Sequence, residues 1–169
     1  KTDSDKTEWL KPRKLRPGEI SVILKHFYAL TAIANGDEEY GLIAEDDILE
    51  NQGYSLQRFN NLISEIIECK FDYLDLAGGC NLYAHDINQS ERNIIEITPP
   101  RTRTNAAYLV SRNLANVLVN SFLPFSMPID WHLSYLMNKC MTNGIKCAWT
   151  TDNPLLHGSE MGMYKSWRG

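Results

Sequence analysis

Apolar positions along this chain recur at two different spacings, which distinguish helices from strands. Apolar side chains return every third or fourth position across residues 20–34 and again across residues 54–69, so each segment predicts a helix with one buried face. Two further helices are predicted on the same spacing, one within RNLANVLVNSF and one that starts near Ile129. The chain therefore contains at least four amphipathic helical segments.

Short apolar runs between these helices predict strands. They are YGLIA, FDYLDLA, the isoleucine-rich run before Pro99, AAYLV and IKCAWTT, whereas the tail after residue 151 reads as irregular. This alternation of helices and strands predicts an α/β domain whose central sheet is mostly parallel and is flanked by helices. We assign residues 17–169 to that single domain, and residues 1–16 to a polar arm that carries a basic cluster, KPRKLRP.

Charge, length and cysteine content narrow the classes of protein. The chain has 169 residues and a formal net charge of −4, which argues against nucleic acid as a main partner. No apolar run approaches the roughly 20 residues that a membrane-spanning helix needs. The four cysteines form no C-x-x-C pair, which favours free thiols in a cytoplasmic protein, the periphery of a membrane included. Two disulfides in the lumen of the secretory pathway are the alternative.

Three consecutive carboxylates, Glu45, Asp46 and Asp47, follow the first predicted strand directly. Side chains alternate along an extended segment, so Glu45 and Asp47 are expected on one side and Asp46 on the other. Two carboxylates on one side repel each other unless a cation joins them, and Mn²⁺ and Mg²⁺ take such oxygen ligands together with substrate phosphates. The alternative is a charged turn in which an aspartate caps the next segment.

The motif LIAEDDILE resembles the acidic metal-binding motif of glycosyltransferase family 25, the lipopolysaccharide-type and collagen-type β-galactosyltransferases. Before it, Gly18, Glu19 and His26 are similar to the family's preceding block, although Lys25 occupies the usual serine position. FDYLDLAG, TNAAYLVSRNLANVLV, MPIDWHLSYL and PLLHGSEMG resemble later blocks in the same order, so that the resemblance covers roughly residues 15–159. The family's usual N-terminal strand–helix unit is lacking, which predicts a fragment or a shortened member.

This resemblance implies a glycosyltransferase A-type fold and an inverting transfer. A hexose, galactose or glucose, would move from a UDP-sugar to a hydroxyl group of a glycan or protein acceptor, with Mn²⁺ or Mg²⁺ at the diphosphate. Asp47 and Glu45 are then the expected metal ligands, and the late histidine of many A-type transferases suggests His157 as a third. Glu45 and Asp46 are expected to contact the nucleotide sugar.

An inverting displacement also needs a general base on the acceptor hydroxyl. We predict Asp130 for this role, with capping of the helix that starts beside it as the alternative. Arg101 and Arg103 are predicted to face the diphosphate or an anionic acceptor, because guanidinium groups bind phosphate oxygens bidentately; a solvated loop is the alternative. His26 falls nearer the polar side of its helix, where packing or a hydrogen bond to the acidic motif is expected.

Two other functions compete with transfer. One is a non-catalytic glycosyltransferase-like domain kept for binding or as a scaffold, which Lys25 and the lacking N-terminal unit favour. The other is an unrelated Mg²⁺-dependent phosphoesterase, which only the carboxylates suggest and which the later motifs oppose.

Overall fold

The computed structural model describes residues 12–79, 82, 93–139 and 144–164. The helices in these residues are α1 Pro17–Ala34, α2 Leu56–Cys69, α3 Arg112–Ser121 and α4 Ile129–Lys139. The strands are β1 Tyr40–Ala44, β2 Ile48–Glu50, β3 Tyr73–Asp75, β4 Ile94–Glu96, β5 Ala107–Ser111, β6 Cys147–Thr150 and β7 Leu155–His157. The apolar spacing therefore predicted all four of these helices. The prediction of a domain that combines helices with a central sheet is confirmed.

Five of these strands form one sheet in the order β1-β5-β3-β6-β4. β5 runs antiparallel to both β1 and β3, and β4 runs antiparallel to β6, so β3 and β6 are the one parallel pair among the described strands. The predicted mostly parallel sheet is therefore wrong. Two helices, α3 and α4, follow β5. They return the chain to the sheet edge where β5 ended, so β6 runs in the direction opposite to β5.

Both faces of this sheet are covered. Successive side chains of a strand point to opposite faces, so Tyr108 and Val110 of β5 enter the cluster that also holds the buried side chains of α1, α3 and α4. Ala107 and Leu109 of the same strand face a second cluster that holds Leu62 and other residues of α2. The helices consequently lie in two layers, with the sheet between them.

The carboxyl ends of β1, β3 and β6 lie at one edge of the sheet, where the candidate site is found. β1 ends at Ala44, opposite Ala107 at the start of β5. The carboxyl ends of β3 and β6 meet at the same edge, since Asp75 lies opposite both Tyr108 and Trp149. Beyond this edge, β2 and β7 form a separate two-stranded antiparallel sheet. This small sheet was not predicted; β7 lies in the tail after residue 151, for which the sequence analysis predicted irregular structure.

Part of the predicted arm lies in the described chain. Residues 12–16 belong to no helix or strand, and the Arg13 backbone N–H donates to the Ser126 carbonyl at 3.0 Å; the other arm residues lie outside the described part. Cys69 and Cys147 are free thiols, and burial raises the pKa of Cys147 to about 12, while the other two cysteines are among the residues not described. No helix in the described residues combines the length and apolar character needed to cross a membrane.

The start of α1 is stabilised by Glu19. Its carboxylate accepts a hydrogen bond from the Arg16 backbone N–H at 2.8 Å, as in a capping box, and another from the Arg13 guanidinium at 3.1 Å. The bond from Arg13, followed by that from Arg16, lowers the pKa of Glu19 to about 2. Glu19 therefore stabilises the fold through its ionised form.

Glu19→Gln should lower the free energy of unfolding at pH 7 by about 1 kcal/mol, the usual effect of losing a cap. A depressed pKa contributes stability that is complete above the unfolded value of about 4.3 and is lost as the pH falls toward the folded value. The difference between wild type and variant should therefore shrink between about pH 5 and pH 2. Urea unfolding at pH 7 and pH 3 measures it, with Glu38→Gln, at an exposed glutamate, as control; a difference independent of pH would contradict this account.

Candidate metal centre and adjoining cleft

The acidic motif forms the turn between β1 and β2. The Glu45 backbone N–H donates to the Ala106 carbonyl at 2.8 Å, which fixes the end of β1 against the chain that leads into β5. Glu45 and Asp47 are half-buried, whereas Asp46 is exposed. The grouping expected from alternation is therefore present, although residues 46–47 form a turn and not an extended strand.

Pairing of the small sheet brings His157 to this turn. Ile48 at the start of β2 lies opposite His157 at the end of β7, and the Gly158 N–H donates to the Asp47 carbonyl at 2.9 Å. One ligand atom from each of Glu45, Asp47 and His157 lies within 4.8 Å of the others. The structure thus brings together the three side chains that were predicted as metal ligands.

The partners of Asp47 and His157 show whether a cation fits. Asp47 Oδ2 accepts hydrogen bonds from the backbone N–H of Ser159 at 3.2 Å and from its hydroxyl, and lies 3.2 Å from His157 Nε2. Within the described chain, Asp47 Oδ1 and His157 Nδ1 are buried and have no hydrogen-bond partner. Buried polar atoms are normally satisfied, so these two atoms lack the partners that a folded chain usually supplies, and Asp47 Oδ1 is left for a partner such as a cation.

The donor set is also chemically suitable. Two carboxylates and one imidazole suit Mn²⁺ and, through the oxygens, Mg²⁺. Ligands of one six-coordinate ion at about 2.1 Å are separated by about 3 to 4.3 Å, so the observed spacing of up to 4.8 Å needs only a small contraction. The residues present therefore fit a divalent cation.

A glycine makes the close approach of β7 possible. A Cβ on Gly158 would lie 2.7 Å from the Asp47 carbonyl oxygen and 2.6 Å from the ring of Tyr164, so no larger residue fits without displacement. The next residue, Ser159, then supplies both of its donors to Asp47. Ser159 was not among the predicted site residues, and the one signal that the sequence carries for it is its position two residues after His157.

Asp130 and Arg101 line a cleft of about 230 Å³ at the same sheet edge, together with Leu82, Thr102, Arg103, Trp131 and Ser134. Asp130 is the second residue of α4, inside its first turn and not at the N-cap position. Its carbonyl accepts hydrogen bonds from the hydroxyls of Thr102 and Ser134, both at 2.8 Å. The Arg101 guanidinium lies 5.1 Å from the centre of the Trp149 ring. Asp130, the predicted general base, and Arg101, one of the two predicted arginines, therefore line the same cleft.

Arg103 departs from its predicted role. Its guanidinium forms an ion pair with Asp75 at 2.8 Å, and each of the two side chains is only 1% exposed. The backbone N–H of Arg103 donates to the other oxygen of Asp75, and the guanidinium also donates to the Thr150 hydroxyl at 3.3 Å. Although Arg103 borders the cleft, an internal carboxylate holds it, so the expectation of an arginine that faces a phosphate or solvent is corrected to a buried structural pair.

Comparisons with known proteins do not assign the chain: no protein-family model matches it, and no curated protein matches it at a significant level. The resemblance to glycosyltransferase family 25 therefore remains an expectation carried by the sequence motifs. The geometry of the cluster and the cleft is independent of that resemblance.

Asp75→Ala should lower the free energy of unfolding by about 3–5 kcal/mol, because it leaves the Arg103 guanidinium buried without its counter-charge. The matched control is Asp152→Ala, which breaks the 2.8 Å pair with Arg58, whose two side chains are 44% and 50% exposed. An exposed pair contributes about 0–1 kcal/mol. Urea unfolding of both variants measures the difference, and equal effects would show that Arg103 does not depend on Asp75.

Proposed function

We propose that this chain is a metal-dependent, inverting glycosyltransferase that moves a hexose, galactose or glucose, from a UDP-sugar to a hydroxyl group of a glycan or protein. The observation that carries the proposal is the convergence of Glu45, Asp47 and His157 within 4.8 Å. The sequence motifs, which resemble those of family 25, supply the choice of donor and reaction. The cluster would hold the diphosphate through a bound cation.

The chemistry of the leaving group explains why such a cluster is needed. Cleavage of a UDP-sugar develops negative charge on the diphosphate, and a bound Mn²⁺ or Mg²⁺ would supply Lewis-acid stabilisation of that charge. Asp47, Glu45 and His157 would hold the cation, and Ser159 orients Asp47 by donating to its Oδ2. Asp46, exposed on the same turn, would contact the nucleotide part of the donor.

The cleft beside α4 is proposed to receive the acceptor. There the Asp130 carboxylate would take the proton of the acceptor hydroxyl as its oxygen forms a bond to the anomeric carbon. The bond from that carbon to the diphosphate breaks, the electron pair leaves with UDP, and the configuration at carbon inverts. Arg101, which lines the same cleft, would contact the diphosphate or an anionic group of the acceptor, and Trp131 offers an aromatic surface to a sugar ring.

Burial of Arg103 favours a second candidate, a non-catalytic domain with this architecture. Of the two arginines expected at the diphosphate, Arg103 is held by Asp75, so Arg101 would have to act without it. Such a domain would bind a nucleotide with metal, or a glycan alone, and would not transfer sugar. Binding and transfer therefore have to be measured separately.

Asp47→Ala should abolish metal-dependent nucleotide binding, because it removes the central ligand of the cluster. Isothermal titration of UDP into the wild-type chain, with and without Mn²⁺, should show binding that depends on the metal. Loss of a partner outside the ligand shell lowers metal affinity by about 10–100-fold. Because Asp47 is itself a ligand, the metal-dependent affinity of the variant for UDP should fall by more than this. Circular dichroism should show that the variant remains folded.

The control for that titration is Asp37→Ala, which makes the same change of charge at an exposed residue beyond the end of α1. It should leave the affinity for UDP and Mn²⁺ unchanged. Wild-type binding that is equal with and without Mn²⁺, or equal losses in the two variants, would contradict a metal-held diphosphate at this cluster.

Asp130→Asn should separate transfer from binding. If Asp130 is the general base, the variant should lose about 10²–10⁴-fold in the rate of transfer while its metal-dependent affinity for UDP stays at the wild-type value. The assay is UDP release from UDP-galactose and UDP-glucose, with panels of glycan and hydroxyl-bearing peptide acceptors. A wild-type chain that binds UDP with metal and transfers to none of them would favour the non-catalytic candidate.

A further inference from the structure

A buried histidine lies next to Glu45, one of the three proposed metal ligands. His26 of α1 is 3% exposed, and its two ring nitrogens face different partners. Nδ1 lies 3.0 Å from the hydroxyl of Tyr108, and Nε2 lies 3.4 Å from Oε1 of Glu45. The side chain therefore connects a fully buried phenol to one of the proposed metal ligands.

The Glu45 carboxylate accepts and does not donate, so the Nε2 nitrogen of His26 has to carry the proton in this hydrogen bond. Burial and the negative charge of Glu45 raise the pKa of Tyr108 far above its ordinary value, so the hydroxyl keeps its proton and is available to donate. A neutral imidazole has one donor and one acceptor nitrogen. If Tyr108 donates to Nδ1 of His26, the ring proton resides on Nε2 and is donated to Glu45.

Packing against Tyr108 holds the imidazole ring of His26 in the orientation in which Nε2 faces Glu45. The rings of His26 and Tyr108 are nearly parallel, at 6°, with centroids 5.8 Å apart. Tyr108 stacks in turn on Tyr73 at 5.2 Å and 25°. Because all three side chains are buried, rotation of the imidazole away from Glu45 would require repacking of the core.

We propose that Tyr108 and His26 are positioning residues for the metal centre. Tyr108 donates to the Nδ1 nitrogen of His26 and so orients the ring. His26 in turn holds one oxygen of Glu45 by hydrogen bonding, which leaves the other carboxylate oxygen for the cation. Outer-shell partners of this kind orient a ligand and tune metal affinity. The inference rests on the proposed metal-dependent function and adds to it the residues that set the affinity of the site.

The first test is Tyr108→Phe, which removes the hydroxyl and keeps the stacked ring. In ¹⁵N NMR of histidine-labelled, metal-free protein, wild-type His26 should carry its proton on Nε2, and in the variant the Nδ1 resonance should shift toward that of a ring nitrogen with no hydrogen bond. His26→Gln identifies the His26 signals by their loss. Titration with Mn²⁺ alone should show an affinity about 10-fold lower in Tyr108→Phe than in wild type.

The matched control is Tyr73→Phe, which deletes a buried hydroxyl from the same stack. That hydroxyl donates to Oδ1 of Asn105 at 2.9 Å. Tyr73→Phe should reduce stability as Tyr108→Phe does, and should leave both the Nδ1 resonance of His26 and the Mn²⁺ affinity unchanged. A second comparison is His26→Gln against His26→Asn: the Gln amide reaches the position of Nε2 and should retain more Mn²⁺ affinity.

These measurements separate failure of the inference from failure of the proposed function. If wild type binds Mn²⁺, Asp47→Ala does not, and Tyr108→Phe binds as tightly as wild type, the positioning role is overturned and the metal site stands. A proton on Nδ1 of wild-type His26 likewise overturns the role of Tyr108. If wild type does not bind Mn²⁺ at all, the proposed function fails, and the positioning role falls with it.

Discussion

The buried ion pair between Asp75 and Arg103 holds together the sheet edge on which the candidate site is built. Asp75 ends β3, and its carboxylate accepts hydrogen bonds from the Arg103 guanidinium, the Arg103 backbone and the Gly78 N–H. Thr150, at the end of β6, bonds to both partners of the pair. Removing two charges from water costs less when hydrogen bonds compensate. Here two backbone N–H groups donate to the Asp75 carboxylate and the Arg103 guanidinium bonds to Asp75 and Thr150, while Arg103 Nε has no partner among the described residues. The segment before β5 is consequently fixed in place.

That fixed segment determines where the metal cluster can form. Its last residue, Ala106, receives the backbone hydrogen bond of Glu45 and so sets the position of the first ligand. The other two ligands, Asp47 and His157, belong to the turn and strand of the small sheet. Ligation by all three side chains would therefore join the small sheet to the five-stranded one, and metal binding and local order at this edge should be coupled.

Sequence patterns predicted the parts of this arrangement that depend on local spacing. The helices followed from apolar periodicity, and the pairing of Glu45 with Asp47 followed from their separation by one residue. Strand direction did not follow, because the order of elements, with the two helices predicted after β5, does not fix which strands pair with each other in the sheet. Nor could the fate of Arg103 be foreseen, since its partner Asp75 lies 28 residues earlier in the chain and only the fold brings them together. His157 was suggested by resemblance alone, because it lies in a glycine-containing tail that reads as irregular and its cluster partners are about 110 residues earlier in the chain.

His26 is a polar residue in the core, and burying it has an energetic cost that an apolar residue would not have. Its helix could bury an apolar side chain here at no electrostatic penalty, whereas an imidazole must find a partner for each nitrogen or lose about 1–3 kcal/mol for each one left unsatisfied. The structure supplies both partners, and one of them, Tyr108, is itself a polar group in the core. A leucine at residue 26 and a phenylalanine at residue 108 would fill this space more simply. The two polar groups make physical sense together if their task is to hold the carboxylate of Glu45.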